Sequence, residues 1–251
     1  MRMPLRKMQC SAILLFVLVA LTARTLGAQP ASLSDGAQAL ERELQTLLAD
    51  RAPDSTDSRI LVRLSEVYLD LGDNAYSEKT KRLAAYDEGA RVARRAIDLD
   101  ESNAQAHYLY AANLGSAAQL KGVMASAFTM NDLKNHTRRA LELNPNHAPS
   151  LHMMGMMFEE LPWILGGDSE AALTYLNKAV TADPRSIHAR LDLGKAYIKR
   201  QNTDAARREF NIILSQAPPR DQSASEQRYR QEARQLLASL TPQQNTTDSH
   251  K

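Results

Sequence analysis

A short motif at the end of a helix-like segment recurs four times in this chain, and its spacing leaves few architectures open. The four copies occupy residues 96–101, 140–145, 179–184 and 213–218, and their last positions are 44, 39 and 34 residues apart. Self-similarity at a period of 20 to 50 residues is typical of repeat proteins, in which each unit buries its apolar face against its neighbours. The chain is therefore expected to be an array of stacked units.

Each repeat also begins with a shared pattern. A large apolar residue is followed directly by a small residue, and a second large residue lies three positions after the small one. Large residues three or four apart form one apolar stripe on a helix, and the small residue lets another helix come close. Each unit is thus predicted to be a pair of packed helices. The positions assigned this structural role are Tyr68, Gly89, Ala96, Ala111, Ala140, Pro145, Gly155, Asp168, Ala172, Ala179, Pro184, Gly194, Tyr197, Ala206, Phe210 and Pro218.

The period and the absence of strand-like alternation predict an all-α fold. A spacing of 34 residues is the tetratricopeptide period. We expect a tetratricopeptide-type right-handed α-solenoid of about four helix pairs over residues 55–218, with the first to third repeats extended. Amphipathic stripes predict capping helices within 29–54 and 219–240. The polar segment 241–251 has no periodicity and is expected to be disordered.

The first 28 residues are typical of a secretory signal peptide. Basic residues precede ten consecutive apolar residues at 12–21, and small residues follow as far as Ala28. Such a leader predicts a periplasmic or secreted protein, with an uncleaved membrane anchor as the alternative. No later segment reaches the roughly 20 apolar residues of a membrane-spanning helix, so no span is expected after cleavage.

Charge and motif content argue against several classes of function. The four basic residues of the leader leave 27 basic against 29 acidic side chains, a balance that argues against a nucleic-acid partner. The one cysteine, Cys10, lies in the leader, which excludes thiol chemistry in the cleaved chain. His147 and His152 are five residues apart, which does not place them on one helical face. We therefore predict a protein that is not an enzyme, with no cofactor and no metal site.

Two sequence blocks resemble a particular group of tetratricopeptide proteins. The blocks Asn-Leu-Gly-Ser-Ala-Ala-Gln-Leu-Lys-Gly, at 113–122, and Leu-Pro-Trp-Ile-Leu-Gly-Gly-Asp, at 161–168, are similar to the T-component of TRAP transporters (TatT). They resemble the animal regulator-of-microtubule-dynamics proteins more distantly. The first resemblance implies a periplasmic accessory that assists a solute-binding protein, although the lipid-attachment cysteine of that group is missing here.

Five residues in and near these blocks are candidates for binding a ligand or a partner. Tyr110, Asn113, Gln119 and Lys121 share one long predicted helix, 103–130, and Trp163 lies in the inserted turn of the third repeat. If the helix projects beyond the repeat, its polar groups could form a pocket with Trp163. The alternative is ordinary packing, with Lys121 in solvent and Trp163 holding its turn on the core.

Two further features have both a structural and a functional interpretation. Asp168 follows two glycines and precedes a helical segment, so it is expected to cap that helix, with ligand contact as the alternative. The methionines at 153, 154, 156 and 157 point in too many directions to form one stripe. They predict adaptable core packing, with a promiscuous binding surface as the alternative.

A stacked array of helix pairs offers a concave face for extended peptides or for the surface of another protein. We therefore predict an exported interaction scaffold with a protein partner in the periplasm, such as the solute-binding protein of a TRAP-type uptake system. The competing hypothesis is a small-molecule binder that uses the pocket beside Trp163.

Overall fold

Ten α-helices and no β-strand are found in the part of the chain that the computed structural model describes, residues 35–218 and 223–240. The predicted signal peptide, 1–28, and the predicted tail, 241–251, lie outside the described residues. The helices are α1 Asp35–Ala49, α2 Ser58–Asp70, α3 Lys79–Leu99, α4 Ala104–Lys121, α5 Val123–Leu143, α6 Ala148–Glu160, α7 Ser169–Ala182, α8 Ile187–Lys199, α9 Thr203–Ser215 and α10 Ala224–Ser239. A π-helical turn, Leu71–Ala75, follows α2, and a 3₁₀ turn, Trp163–Leu165, precedes α7.

Consecutive helices pack in pairs. The pairs are α2 with α3, α4 with α5, α6 with α7 and α8 with α9, while α1 packs on α2 and α10 packs on α8 and α9. Four helix pairs with a flanking helix at each end confirm the predicted all-α fold. Among the described helices, none combines the length and apolar character that crossing a bilayer requires.

Local sequence chemistry sets where the helices begin and end. The side chains of Asn103, Ser186 and Asn202 each accept a hydrogen bond from the backbone N–H three residues later, at the starts of α4, α8 and α9. Asp168 accepts hydrogen bonds from the N–H groups of Glu170 and Ala171, at 2.9 and 3.0 Å, and so caps α7. Such caps satisfy amides that have no partner inside the helix. Pro145, Pro184 and Pro218 lie in the connections that follow α5, α7 and α9.

The small residues of the repeats lie in the contacts between helices. The nine singled out from the sequence are all buried: Gly89, Ala96, Ala111, Ala140, Gly155, Ala172, Ala179, Gly194 and Ala206. A Cβ atom added at Gly194 would lie 2.4 Å from Cε1 of Phe210, and one added at Gly155 would lie 2.9 Å from Cγ of Leu176. At these two glycines the paired helices therefore approach more closely than a residue with a side chain would allow.

The long helix predicted over 103–130 does not form. The helical segment ends at Lys121 and a second helix begins at Val123. Gly122 separates them with a φ of 109°, a backbone conformation that residues with a Cβ atom rarely adopt. The chain reverses at this glycine, so α4 and α5 pack side by side as the two helices of the second repeat.

The last helix contacts the first repeat as well as the last one. The Ser225 N–H donates to Oδ1 of Asn74 at 3.2 Å, and the Arg228 guanidinium donates to the carbonyl of Asp73 at 3.4 Å. These contacts join residues about 150 positions apart in the sequence. Helix α10 therefore bridges from the end of the array to the π-helical turn after α2.

The packing at Gly155 generates a stability prediction. Replacing Gly155 by Leu should lower the free energy of unfolding by about 1–3 kcal/mol, because the new side chain has no room beside Leu176. Gly36→Leu is the matched control, since a Cβ at Gly36 meets nothing within 4 Å. Urea unfolding followed by circular dichroism should show a lower midpoint for the first variant alone. Equal midpoints for the two variants would contradict the packing described.

Candidate functional site

A groove of about 640 Å³ is formed by the first helix of every pair. Residues from α2, α4, α6 and α8 line it, together with residues from α5 and α10. Leu69 and Asp73 lie on its border in the first repeat, and Tyr229 of α10 lies on its border beside the last repeat. This surface, called the central groove below, therefore spans all four repeats.

Methionines supply much of the apolar surface of the central groove. Met153, Met156 and Met157 of α6 line it together with Met130 of α5. Met154 points elsewhere and is buried, with 4% of its surface exposed. The methionines of α6 thus serve both as core residues and as groove lining. Unbranched thioether side chains adapt to differently shaped apolar partners.

The charged residues that line the central groove are all acidic. They are Asp73, Glu160 and Asp192, and no lysine or arginine is found among the described residues that line it. Each carboxylate has a partner: Tyr86 donates to Asp73 at 2.6 Å, and the Lys199 ammonium lies 3.2 Å from Glu160. Lys199 therefore offsets the charge of Glu160, and carboxylates are the charged groups that the lining itself contributes.

Two histidines and an aspartate meet in the central groove. His152 Nε2, on α6, lies 2.9 Å from Oδ2 of Asp192, and His188 Nε2 lies 3.3 Å from the same oxygen. The imidazole of His188 also stacks on the ring of Tyr229, with 4.5 Å between centroids. Asp192 is 7% exposed, and Lys195 lies 3.3 Å from its other oxygen. His152, His188 and Asp192 form the histidine–aspartate cluster, which joins the third repeat, the fourth repeat and α10.

The protonation of this cluster follows from its surroundings. Burial in the groove and the neighbouring His152 lower the pKa of His188 to about 4, although half of the His188 side chain remains exposed. Burial acts to raise the pKa of Asp192, but the hydrogen bond from His152 and the charges around it outweigh burial, so the pKa lies below its ordinary value. At neutral pH the cluster therefore holds an ionised carboxylate beside a neutral His188.

A second carboxylate lies near the border of the groove in the first repeat. Burial raises the pKa of Asp70 to about 6, and the negative charges of Glu66 and Asp73 add to this shift. Asp70 is the last residue of α2, directly before the π-helical turn. The carboxylate of Asp70 therefore destabilises the folded protein at neutral pH.

The structure separates the five residues singled out from the sequence. Gln119 is exposed and lines the central groove. Asn113 is fully buried, and its amide donates to Oγ of Ser65 at 3.2 Å. Lys121 forms an ion pair with Asp87 at 2.7 Å.

Tyr110 and Trp163 occupy two other environments. The Tyr110 ring packs 4.4 Å from the ring of His136. Trp163 is 84% exposed and is neither held on the core nor part of the groove lining. Tyr110, Asn113 and Trp163 therefore do not share one cavity, and the pocket expected beside the Trp163 turn is not formed by them.

The histidine–aspartate cluster was missed in the sequence, although one part of it left a signal. His188 and Asp192 are four residues apart on α8, a spacing that places both on one helical face. His152 comes from a different repeat, 40 residues before Asp192. Without the repeat geometry, nothing in the sequence brings the three together.

The central groove and its helix pairs can be compared with known proteins. Residues 28–164 match the family described as regulator of microtubule dynamics protein 1-3, and residues 164–228 match the tetratricopeptide repeat. Regulator of microtubule dynamics protein 1 of Pongo abelii is 31% identical over 218 residues, which are 80% of this chain and 68% of that protein. The Bos taurus protein of the same name is 31% identical over 183 residues, which are 66% of this chain and 57% of that protein. Part of each relative therefore lies outside the matched region.

A solved structure supports the fold. TTC0263, a thermophilic tetratricopeptide protein of Thermus thermophilus, superimposes with a TM-score of 0.60 at 15% identity. The match covers 81% of this chain and 95% of that chain. At this identity the likeness concerns the fold alone, and it confirms a solenoid of the tetratricopeptide type.

These relatives correct the predicted location. The curated relatives are mammalian proteins, from Pongo abelii, Bos taurus, Mus musculus, Homo sapiens and Rattus norvegicus. Regulator of microtubule dynamics proteins of eukaryotes contradict the prediction of a periplasmic or secreted protein, which is therefore wrong. The predicted periplasmic solute-binding partner is not supported. The family that matches is the one that the sequence motifs resemble more distantly, and membership of the T-component family is not shown.

The environment of Asp70 generates a prediction about pH. The pKa of Asp70 is higher in the folded chain than the ordinary value of 3.8, so protonation of Asp70 stabilises the folded state. That stabilisation is lost as the pH rises through about 6. Asp70→Asn should therefore unfold at a higher urea concentration than the wild type at pH 7.5. The difference between the two unfolding midpoints should become smaller at pH 5. A gap that stays constant between these pH values would contradict the described environment.

Proposed function

This chain belongs to the regulator of microtubule dynamics family, and from that premise we propose that it is a non-catalytic interaction protein that binds a segment of a partner in its central groove. The observation that carries the proposal is a groove lined by the first helix of all four pairs. In a solenoid of this kind, the concave face offers a continuous surface for an extended chain.

The lining of the groove specifies the chemistry of that segment. Met153, Met156 and Met157 provide an apolar surface, and the charged lining residues are carboxylates. We infer that the bound segment carries aliphatic side chains, which contact the methionines, and at least one lysine or arginine near Asp73 or Glu160. Acidic segments would be disfavoured, because like charges that face each other across an interface are costly.

The narrower alternatives have less support. The small-molecule hypothesis depended on a pocket shared by Tyr110, Asn113 and Trp163, and these residues lie in three different environments. An accessory role in TRAP-type solute uptake depended on a periplasmic location, which the relatives contradict. The proposal therefore rests on the central groove.

A blocking variant tests the proposal. Ser126 lines the groove from α5 and is partly exposed, so Ser126→Trp places a large ring in the groove. Peptides should first be selected from a random displayed library with the wild-type chain, and their affinities measured by fluorescence anisotropy. We expect the selected peptides to be rich in aliphatic and basic residues, and we expect Ser126→Trp to weaken their binding at least about tenfold.

Ser215→Trp is the matched control, because Ser215 is exposed at the end of α9 and does not line the groove. This variant should bind the selected peptides as the wild type does. The proposal fails if both variants bind equally well, or if the selected peptides are predominantly acidic.

A further inference from the structure

The histidine–aspartate cluster has the composition of a metal site, and we propose that His152, His188 and Asp192 bind a divalent transition-metal ion of the Zn²⁺ class. The potential ligand atoms of the three side chains all lie within 4.8 Å of one another. This inference is independent of the identity of any partner, because the three residues belong to this chain alone.

The spacing of the donor atoms fits a small first-row ion. In a tetrahedral site with metal–ligand bonds of about 2.0–2.2 Å, neighbouring donor atoms are about 3.3 Å apart. Oδ2 of Asp192 lies 2.9 Å from Nε2 of His152 and 3.3 Å from Nε2 of His188. Both distances from Oδ2 are therefore close to the separation of neighbouring ligands in such a site.

The surroundings of Asp192 hold its carboxylate in place. Lys195 contacts Oδ1 at 3.3 Å and is itself paired with Glu232 at 2.8 Å. Oδ2, the oxygen on the other side, is the one that both imidazoles approach. Second-layer partners of this kind fix the orientation of a ligand before the metal arrives.

Lys195 also opposes the binding of a cation, because its ammonium carries a positive charge. Glu232 offsets that charge, so the carboxylates of Asp192 and Glu232 and the ammonium of Lys195 together carry a single negative charge.

The donor set selects the class of ion. Two imidazoles and one carboxylate suit Zn²⁺, Ni²⁺, Co²⁺ and Fe²⁺, whereas Ca²⁺ and Mg²⁺ prefer sites built from oxygen donors. Three protein ligands leave one position of a tetrahedron unfilled. Because all three side chains line the central groove, that position is open to water or to a donor group of a bound segment.

Calorimetric titration of ZnCl₂ into the full chain tests the proposal. The chain should carry no polyhistidine tag and should be treated with a chelator and dialysed beforehand. We expect one equivalent of Zn²⁺ to bind and His188→Gln to weaken binding at least about tenfold. Titration with Co²⁺ should produce the visible absorption of a four-coordinate ion in the wild type and not in His188→Gln.

His147→Gln is the matched control, because His147 also lies at α6 but hydrogen-bonds to Gln105 and Ser150, away from the cluster. His188 is half exposed, so its replacement should leave the circular dichroism spectrum unchanged. The proposal is overturned if Zn²⁺ does not bind stoichiometrically, or if His188→Gln and His147→Gln bind it as tightly as the wild type.

Discussion

The close approach of neighbouring helices at glycine, within a pair at Gly194 and between two pairs at Gly89, is the interaction on which the remaining structure depends. At Gly89 and Gly194 a Cβ atom would lie 2.2 Å from Asn113 and 2.4 Å from Phe210, so a neighbouring side chain already occupies the space. Phe210 and Asn113 are themselves completely buried. Because interiors are closely packed, a larger residue at either glycine would force the two helices apart. The spacing of the pairs in turn sets the position of the first helices, which form the walls of the central groove.

The groove combines contributions that no single repeat could supply. Methionines come from the second and third repeats, the histidine–aspartate cluster joins the third and fourth repeats, and Tyr229 comes from the flanking helix α10. Helix α10 also reaches Asn74 in the first repeat, which links the two ends of the array. The flanking helix is therefore part of the binding surface as well as a cover for the last repeat. The stacking of the helix pairs therefore forms the binding surface, because the contacts that stabilise the fold also hold each wall of the groove in place.

Features that depend on residues close together in the sequence could be predicted, whereas features that depend on residues far apart in the sequence could not. The helix pairs followed from local spacing, since a small residue beside large ones marks a helix contact within one repeat. One continuous helix was predicted across Gly122, and the backbone conformation of that glycine reveals the turn. The contact between α10 and Asn74, the meeting of His152 with Asp192, and the exposure of Trp163 depend on how the repeats stack. The leader and the closer family resemblance led to a location that the animal relatives contradict.

The central claim, that a glycine on one helix admits a large side chain from its partner, is tested most directly by a double-mutant cycle at Gly194 and Phe210. Phe210→Leu removes the ring atoms Cε1 and Cζ, which would lie 2.4 and 2.8 Å from a Cβ at Gly194. Gly194→Ala should therefore destabilise the wild type strongly and the Phe210→Leu background much less, with a coupling energy of about 1 kcal/mol or more. If the two substitutions change the free energy of unfolding by amounts that simply add, the two residues do not compete for the same space, and this account is contradicted.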